Sequence, residues 1–281
     1  MSFFSCPRQD DPFTRRVRDT YGANVVSAPR AGIDPLSTLA VRGRKVEPRG
    51  ELKYMLDGEL PTLPQVTSAP TAALSGVRST AVDVKLGLSL SATFLTALGV
   101  PAPGAEVSAS VWEGISGFTF EVRDVVEHQV DIGALGQALK GHILAETAAT
   151  KLFLADRSIE LMLITRTLTT RSFAIRATGA GGQALHVAVD GIANLVGKAN
   201  AGVSRKAEHD DSVTFSGETP VTFGFAAVPC AIDADRNLVF GLVRADLKFA
   251  PEAPEASQLE ATPAIDKLGL LSFDKLDAAT G

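Results

Sequence analysis

Apolar and polar residues alternate strictly over 82–90: Val82, Val84, Leu86, Leu88 and Leu90 share one parity, and Asp83, Lys85, Gly87 and Ser89 the other. A period of two places the aliphatics on one face of a β-strand. Pro101, Pro103 and Gly104 then break the chain, after which Val107, Ala109 and Val111 alternate with Ser108 and Ser110. Past Glu113 and Gly114 the pattern returns one step out of phase, as Phe118, Phe120 and Val122 against Thr119, Glu121 and Arg123. A phase slip beside glycine is the signature of a β-bulge. Residues 81–126 therefore read as a long, two-faced hairpin. Two environments suit it: the half-exposed surface of a soluble sheet, and a bilayer, whose spanning strands need about 9–11 residues with their apolar side outward.

The flanking chain supplies a sheet and a few helices. Asp11 before Pro12 is an N-cap followed by proline at the first helical position, and Gly22 is a helix stop, which predicts a short helix carrying Phe13 and Val17 on one side and Arg15, Arg16 and Arg18 elsewhere. Residues 23–27 and 36–46 read as strands, and Pro61, Pro64 and Pro70 as an extended loop. Asp131 caps a second helix, in which Ile132, Leu135, Leu139 and Ile143 recur at helical spacing, reaching about residue 152 and lying on the sheet. Residues 158–176 form a long strand: 161–164 is apolar on both faces, as in a central strand, while the threonine-rich continuation with Arg166, Arg171 and Arg176 reads as half exposed. Gly179 to Gly182 is a turn, and Leu185, Val187 and Val189 begin another two-faced segment. Residues 198–211 read as a polar connection; 214–233 and 238–249 complete the sheet around a turn at Asp235, Arg236 and Asn237. The expected class is α+β, a twisted and mostly antiparallel sheet with packed helices.

Composition narrows the functions. The chain has 281 residues, 45% of them hydrophobic, enough for a core, and a net charge of −5 that argues against a general nucleic-acid binder. Residues 1–53 nevertheless carry ten basic against six acidic side chains, and 246–281 three against seven, a basic head and an acidic tail. Cys6 and Cys230 make no disulfide framework and no zinc spacing, which fits a reducing compartment; the start lacks the apolar core of a signal peptide, and no run reaches the roughly 18 apolar residues of a membrane helix. From Ala250 the composition shifts: Pro251, Pro254 and Pro263 with Glu252, Glu255 and Glu260 mark an exposed linker over 250–263, and behind it a tail over 264–281 carries Ile265, Leu268, Leu271, Phe273 and Leu276. That tail either latches onto the body, residues 1–249, or completes its core.

Metal and catalytic candidates are sparse. His142 and Glu146, one helical turn apart, supply only two ligands and read as a surface pair; His209, Asp210 and Asp211 sit in the polar connection and read as solvated. No helix follows the Gly179 to Gly182 turn to make a nucleotide loop, and Cys230, in a Val-Pro-Cys-Ala-Ile strand, reads as buried and inert. No Ser-His-Asp or Cys-His grouping stands out, so an enzyme is not expected.

The helix capped by Asp131, running through Leu-Phe-Leu-Ala-Asp-Arg-Ser into the strand Glu-Leu-Met-Leu-Ile-Thr-Arg-Thr-Leu-Thr-Thr, resembles the gasdermin family of pore-forming proteins, as does the head from Tyr21 to Leu36; the short tail places the chain with the bacterial branch. The resemblance implies a monomer at rest in the cytoplasm, freed when an activating, caspase-like protease removes the tail. The N-terminal fragment would then insert two β-hairpins per copy, 81–126 and the pair 158–176 with 185–195, into membrane lipids. Copies would assemble into a homo-oligomeric pore in the inner membrane, killing the cell as antiphage defence. Bacterial members carry a palmitoyl chain on a cysteine near the N-terminus, which points to Cys6, with Arg15, Arg16 and Arg18 as a second membrane-surface signal; no other cofactor is implied. Leu259, the linker's one large apolar side chain, is the expected residue before the cut, with Asp266 as a substitute. The alternative is a soluble β-rich module that binds a lipid or apolar ligand and never inserts.

Overall fold

The computed structural model describes residues 12–42, 45–79, 94, 97, 115–156, 158–179, 204–209, 212–241 and 248–249. Helix α1, Pro12–Tyr21, buries Phe13, Val17 and Tyr21, the i, i+4, i+8 stripe of a helix, and leaves Arg15 and Arg16 exposed. Gly22 ends it with φ +57°, its N–H donating to the Arg18 carbonyl at 2.7 Å.

One twelve-stranded sheet follows. Its strands are β1 (Asn24–Arg30), β2 (Ser37–Arg42), β3 (Lys45–Glu51), β4 (Thr67–Pro70), β5 (Leu74–Ser79), β6 (Ile115–Arg123), β7 (Val126–Gln129), β8 (Glu160–Gly179), β9 (Ser204–His209), β10 (Ser212–Ile232), β11 (Leu238–Phe240) and β12 (Lys248–Phe249). Its main path runs β12-β1-β10-β8-β2-β3, and every pairing except β1 with β12 is antiparallel. The long strands β8 and β10 are its axis. Leu161 and Leu163 of β8 face a core shared with Leu135, Leu139, Leu144 and Phe153, whereas Met162 and Ile164 face a second core with Val26, Leu39, Val41, Val46 and Phe225. A strand buried on both faces must be apolar at consecutive positions, and this one is. The class is α+β with a mostly antiparallel sheet, as the sequence implied.

Several local expectations are corrected. The strand expected over 36–46 folds back: Arg42 pairs with Lys45, and Val46 lies opposite Val41, so both valines join one core while Pro48 sits on an edge strand that tolerates a missing N–H. The helix expected to reach residue 152 is two short ones, α2 (Ile132–Ala138) and α3 (Lys151–Ala155). Asp131 caps α2 as expected, its carboxylate accepting from the Ala134 N–H at 2.9 Å. Gly141 at φ +84° then breaks the helix, and Ile143 and Leu144 form bridges to Asn237 and Leu56 instead. Ile132, Leu135 and Leu139 still reach one core, and Leu144 rather than Ile143 joins them there.

The threonine-rich half of β8 is buried rather than half exposed: Thr165, Thr167, Thr169 and Thr170 are all below a tenth exposed. Neighbours on both sides explain it, because β10 covers one edge and β7 and β6 the other. The Thr170 hydroxyl donates to the Arg123 carbonyl, whereas the Thr167 hydroxyl is buried without a hydrogen-bond partner among the described residues. The proline-rich loop contains β4, paired with β7; the polar connection contains β9, paired with β10; and the last strand expected is split into β11 and β12. The Asp235 to Asn237 turn stands, with Arg236 at φ +68° and the Asp233 carboxylate accepting from the Asn237 N–H at 2.8 Å.

Candidate membrane-insertion site

Of the two segments with the sequence pattern of inserting hairpins, both ends of the first and the start of the second lie at one end of the sheet, while the second rejoins it lower down, at Ser204 opposite Ser216 and level with Ser172. β5 and β6 are antiparallel neighbours, and the chain between them is residues 80–114; β8 ends at Gly179, and residues 180–203 precede β9. Ser79, Phe118 and Ala177 lie in one row, and Ile115 pairs with Gly179. The strand order at this end is β5-β6-β8-β10-β9, so β9 returns beyond β10 instead of beside β8. The described strand of the first hairpin's second arm is β6, which shows a register shift between Ile115 and Gly117. Its first arm, 82–90, and the segment 185–195 lie outside the described residues.

Below this end the sheet changes character across a narrow waist. β6 stops at Arg123 opposite Ser172, Asp124 takes φ +48°, and β7 restarts at Val126 opposite Thr169. β10 passes four residues, 217–220, against the single Arg171 of β8. Among the described residues only β8 and β10 cross the waist unbroken, and through these two the upper strands join the lower sheet.

A buried aromatic cluster fills the upper unit and reaches across the waist to Phe223. Phe13 of α1, Phe120 of β6, Phe173 of β8 and Phe215 and Phe223 of β10 are all under 2% exposed. With them sits Phe94, 1% exposed and in helical conformation, from the segment between β5 and β6. Its ring lies 5.1 Å from Phe120, 5.5 Å from Phe173, 6.2 Å from Phe13 and 6.3 Å from Phe223. Such tilted and edge-on pairs match the quadrupole of the rings and add attraction beyond area burial. The sequence pattern had no place for Phe94. No local periodicity could supply one, because its partners are 26 to 129 residues away along the chain.

α1 is tied down at its far end. Arg166 of β8 donates to the Tyr21 and Gly22 carbonyls, a cation on the negative end of a helix, and its other nitrogen lies 3.6 Å from Glu127 of β7. The Tyr21 hydroxyl donates to the Ala72 carbonyl just before β5. Burial pushes that phenol up to about 12, against the pull of the Arg16 guanidinium. Arg15 and Arg16 are exposed and Arg18 half-buried, so the basic side of α1 faces away from the cluster.

The other sequence candidates resolve as follows. Cys230 is 5% exposed, and burial pushes its thiol up to about 12, which fits the inert reading. Glu146 pairs with Arg236 at 3.1 Å, and the helical turn that would have aligned it with His142 is absent. His209 lies on β9, with Asp210 and Asp211 outside the described residues. Cys6, Leu259, Ile265, Leu268, Leu271, Phe273 and Leu276 also lie outside them. A cavity bounded by Arg30, Ile33, Leu39, Ile164 and Phe225 measures about 70 Å³, less than half of the ~150 Å³ that takes a benzene-sized guest.

Residues 26–237 match the profile described as the Bacterial Gasdermin Family. The chain belongs to the bacterial gasdermin family. A gasdermin from a Desulfuromonadales bacterium is 30% identical over 232 residues, covering 80% of this chain and 84% of its own length. One from a Vitiosangium species is 26% identical over 258 residues, covering 90% and 94%. The structure of a bacterial gasdermin from Bradyrhizobium tropiciagri superposes with a TM-score of 0.57 at 15% identity, covering 86% of this chain and 94% of that one. That likeness bears on fold alone, and it agrees with the α+β sheet described above. Gasdermin membership suggests a pore-forming protein.

Proposed function

We propose that this bacterial gasdermin is a latent pore former whose resting body, residues 1–249, is restrained by the tail over 264–281 and released by a protease cutting in the linker over 250–263. The observation that carries the reading is that both ends of 80–114 and the start of 180–203 lie at one end of one sheet, beside Ser79, Ile115 and Gly179. Extended past this end, β5, β6 and β8 enter a bilayer as neighbours that are already hydrogen-bonded, and the return arm after 180 must be rebuilt beside β8. A lone hairpin in lipid would leave its outer edges unpaired at several kcal/mol per backbone group, so insertion is favourable only when many copies close one barrel. The inner membrane is the proposed target and death of an infected cell, as antiphage defence, the proposed outcome. Tail residues Ile265, Leu268, Leu271, Phe273 and Leu276 form the restraint, Leu259 precedes the cut made by a caspase-like protease, and Arg15, Arg16 and Arg18 meet anionic headgroups.

Limited proteolysis in the presence of anionic liposomes loaded with dye tests the central claim. The trimmed chain releases the dye, the full chain does not, and N-terminal sequencing of the released tail starts after Leu259. A soluble carrier of apolar ligands would leave the dye enclosed after the same cut, and that result ends the pore reading.

Cys6 is the proposed acylation site. One acyl chain contributes about 0.8 kcal/mol per buried methylene and anchors reversibly, so the arginines of α1 act with it. Intact mass of protein expressed in a bacterial host carries the increment of a palmitoyl group, which Cys6→Ser removes; a mass corresponding to the free thiol alone would refute the assignment.

A further inference from the structure

We infer that α1 is a clamp that holds the first inserting segment on the sheet at rest, through the ring of Phe94, and that opening this clamp limits the rate of insertion after the tail is cut. The inference rests on the pore-forming reading and adds a control point to it. Phe94 belongs to the segment between β5 and β6, yet it is helical and almost fully buried, four rings deep in the upper core. A hairpin that extends residues 80–114 into lipid must withdraw that ring and give up the helical backbone at Phe94.

Phe13 stands over the exit. Its ring meets Phe94 edge-on at 85° and Phe120 at 82°, 5.9 Å away, so it touches both the segment that must leave and the strand it leaves from. The other end of α1 is pinned where the same strand pair begins: Tyr21 to the carbonyl of Ala72, two residues before β5, and the Tyr21 and Gly22 carbonyls to Arg166. α1 therefore braces the base of β5 with one end and Phe94 with the other. These contacts are made by residues 13, 21, 22, 72, 94, 120 and 166, none of them in the tail that the cut removes. They must still break afterwards, which makes them a second, slower restraint.

The experiment uses the full chain carrying a specific protease site in the linker, cut in the presence of anionic liposomes, with dye release and the emission of Trp112 followed together. Trp112 is the chain's one tryptophan and lies within residues 80–114, so it reports on this segment directly. Phe13→Leu and Arg166→Gln each shorten the lag before release and before the Trp112 change about fivefold, the rate equivalent of losing one ring contact or one charged hydrogen bond that is absent from the transition state. The final extent of release stays at the wild-type level. Phe153→Leu, in the separate core beneath α2 and α3, keeps the wild-type lag. An unchanged lag in either clamp variant, or an equally short one in Phe153→Leu, overturns the clamp while leaving the pore reading in place. Absence of release from the trimmed wild type overturns the pore reading and the clamp with it.

Discussion

Phe173→Ala lowers the stability of the full chain by about 3–5 kcal/mol, the upper range for truncating a buried aromatic ring. Phe173 is fully buried on β8 and stacked between Phe120 at 5.4 Å and Phe215 at 5.2 Å, with Phe94 at 5.5 Å. The cost of such a deletion depends on how far the surroundings collapse into the space left behind. Here the walls are set by paired strands, since β8 is hydrogen-bonded to β6 on one side and β10 on the other at this level. Strands held in register cannot close the gap, so little of the loss is recovered. With a urea slope of about 3 kcal/mol per M, the midpoint followed by circular dichroism drops by roughly 1–1.7 M. A drop corresponding to less than about 1 kcal/mol would show that the aromatic cluster is plastic and cannot hold Phe94 in a fixed seat.

Leu86→Arg abolishes dye release by the trimmed chain. The alternation over 82–90 puts Leu86 on the apolar face, with Val84 and Leu88, the side that meets hydrocarbon if this arm spans a bilayer. A basic residue at the midplane of a barrel's lipid face costs about 2–4 kcal/mol. Every copy in a closed ring bears that cost, so the penalty on assembly multiplies with subunit number. Ser89→Arg falls on the opposite parity, toward the water-filled interior, and retains release, although its added charge alters which ions pass. The two variants differ by three positions and by face alone. Equal activity in both would mean that this segment does not form a two-faced spanning strand, and the pore would have to be built from other residues.

The contrast between readable and unreadable features follows from the range of the forces involved. Gly22 and Asp131 were legible because a cap or a stop is decided within four residues, by a left-handed φ or a carboxylate meeting a nearby N–H. The doubly apolar run Leu161 to Ile164 was legible because only a strand covered on both faces needs it. By contrast, the helix that seemed to run to residue 152 kept its apolar spacing through Gly141, since Leu144 and Phe153 reach the same core by another route. Periodicity reports which side chains are buried, and it cannot tell one helix from two helices with a bridge between them.

The sequence by itself determined the doubly buried strand over 161–164, the basic first helix and membership of an α+β, mostly antiparallel class, because alternation at periods of 2 and 3.6 follows from backbone geometry alone. Tertiary structure decided the rest. Threonines on β8 are buried because β6, β7 and β10 arrive from distant parts of the chain to cover and hydrogen-bond them. β9 lies outside β10 because register is fixed by whole-sheet pairing, which no short segment encodes. The aromatic cluster exists only once residues 13, 94, 120, 173, 215 and 223 meet, and its energy resides in contacts between them that the linear order of residues cannot display.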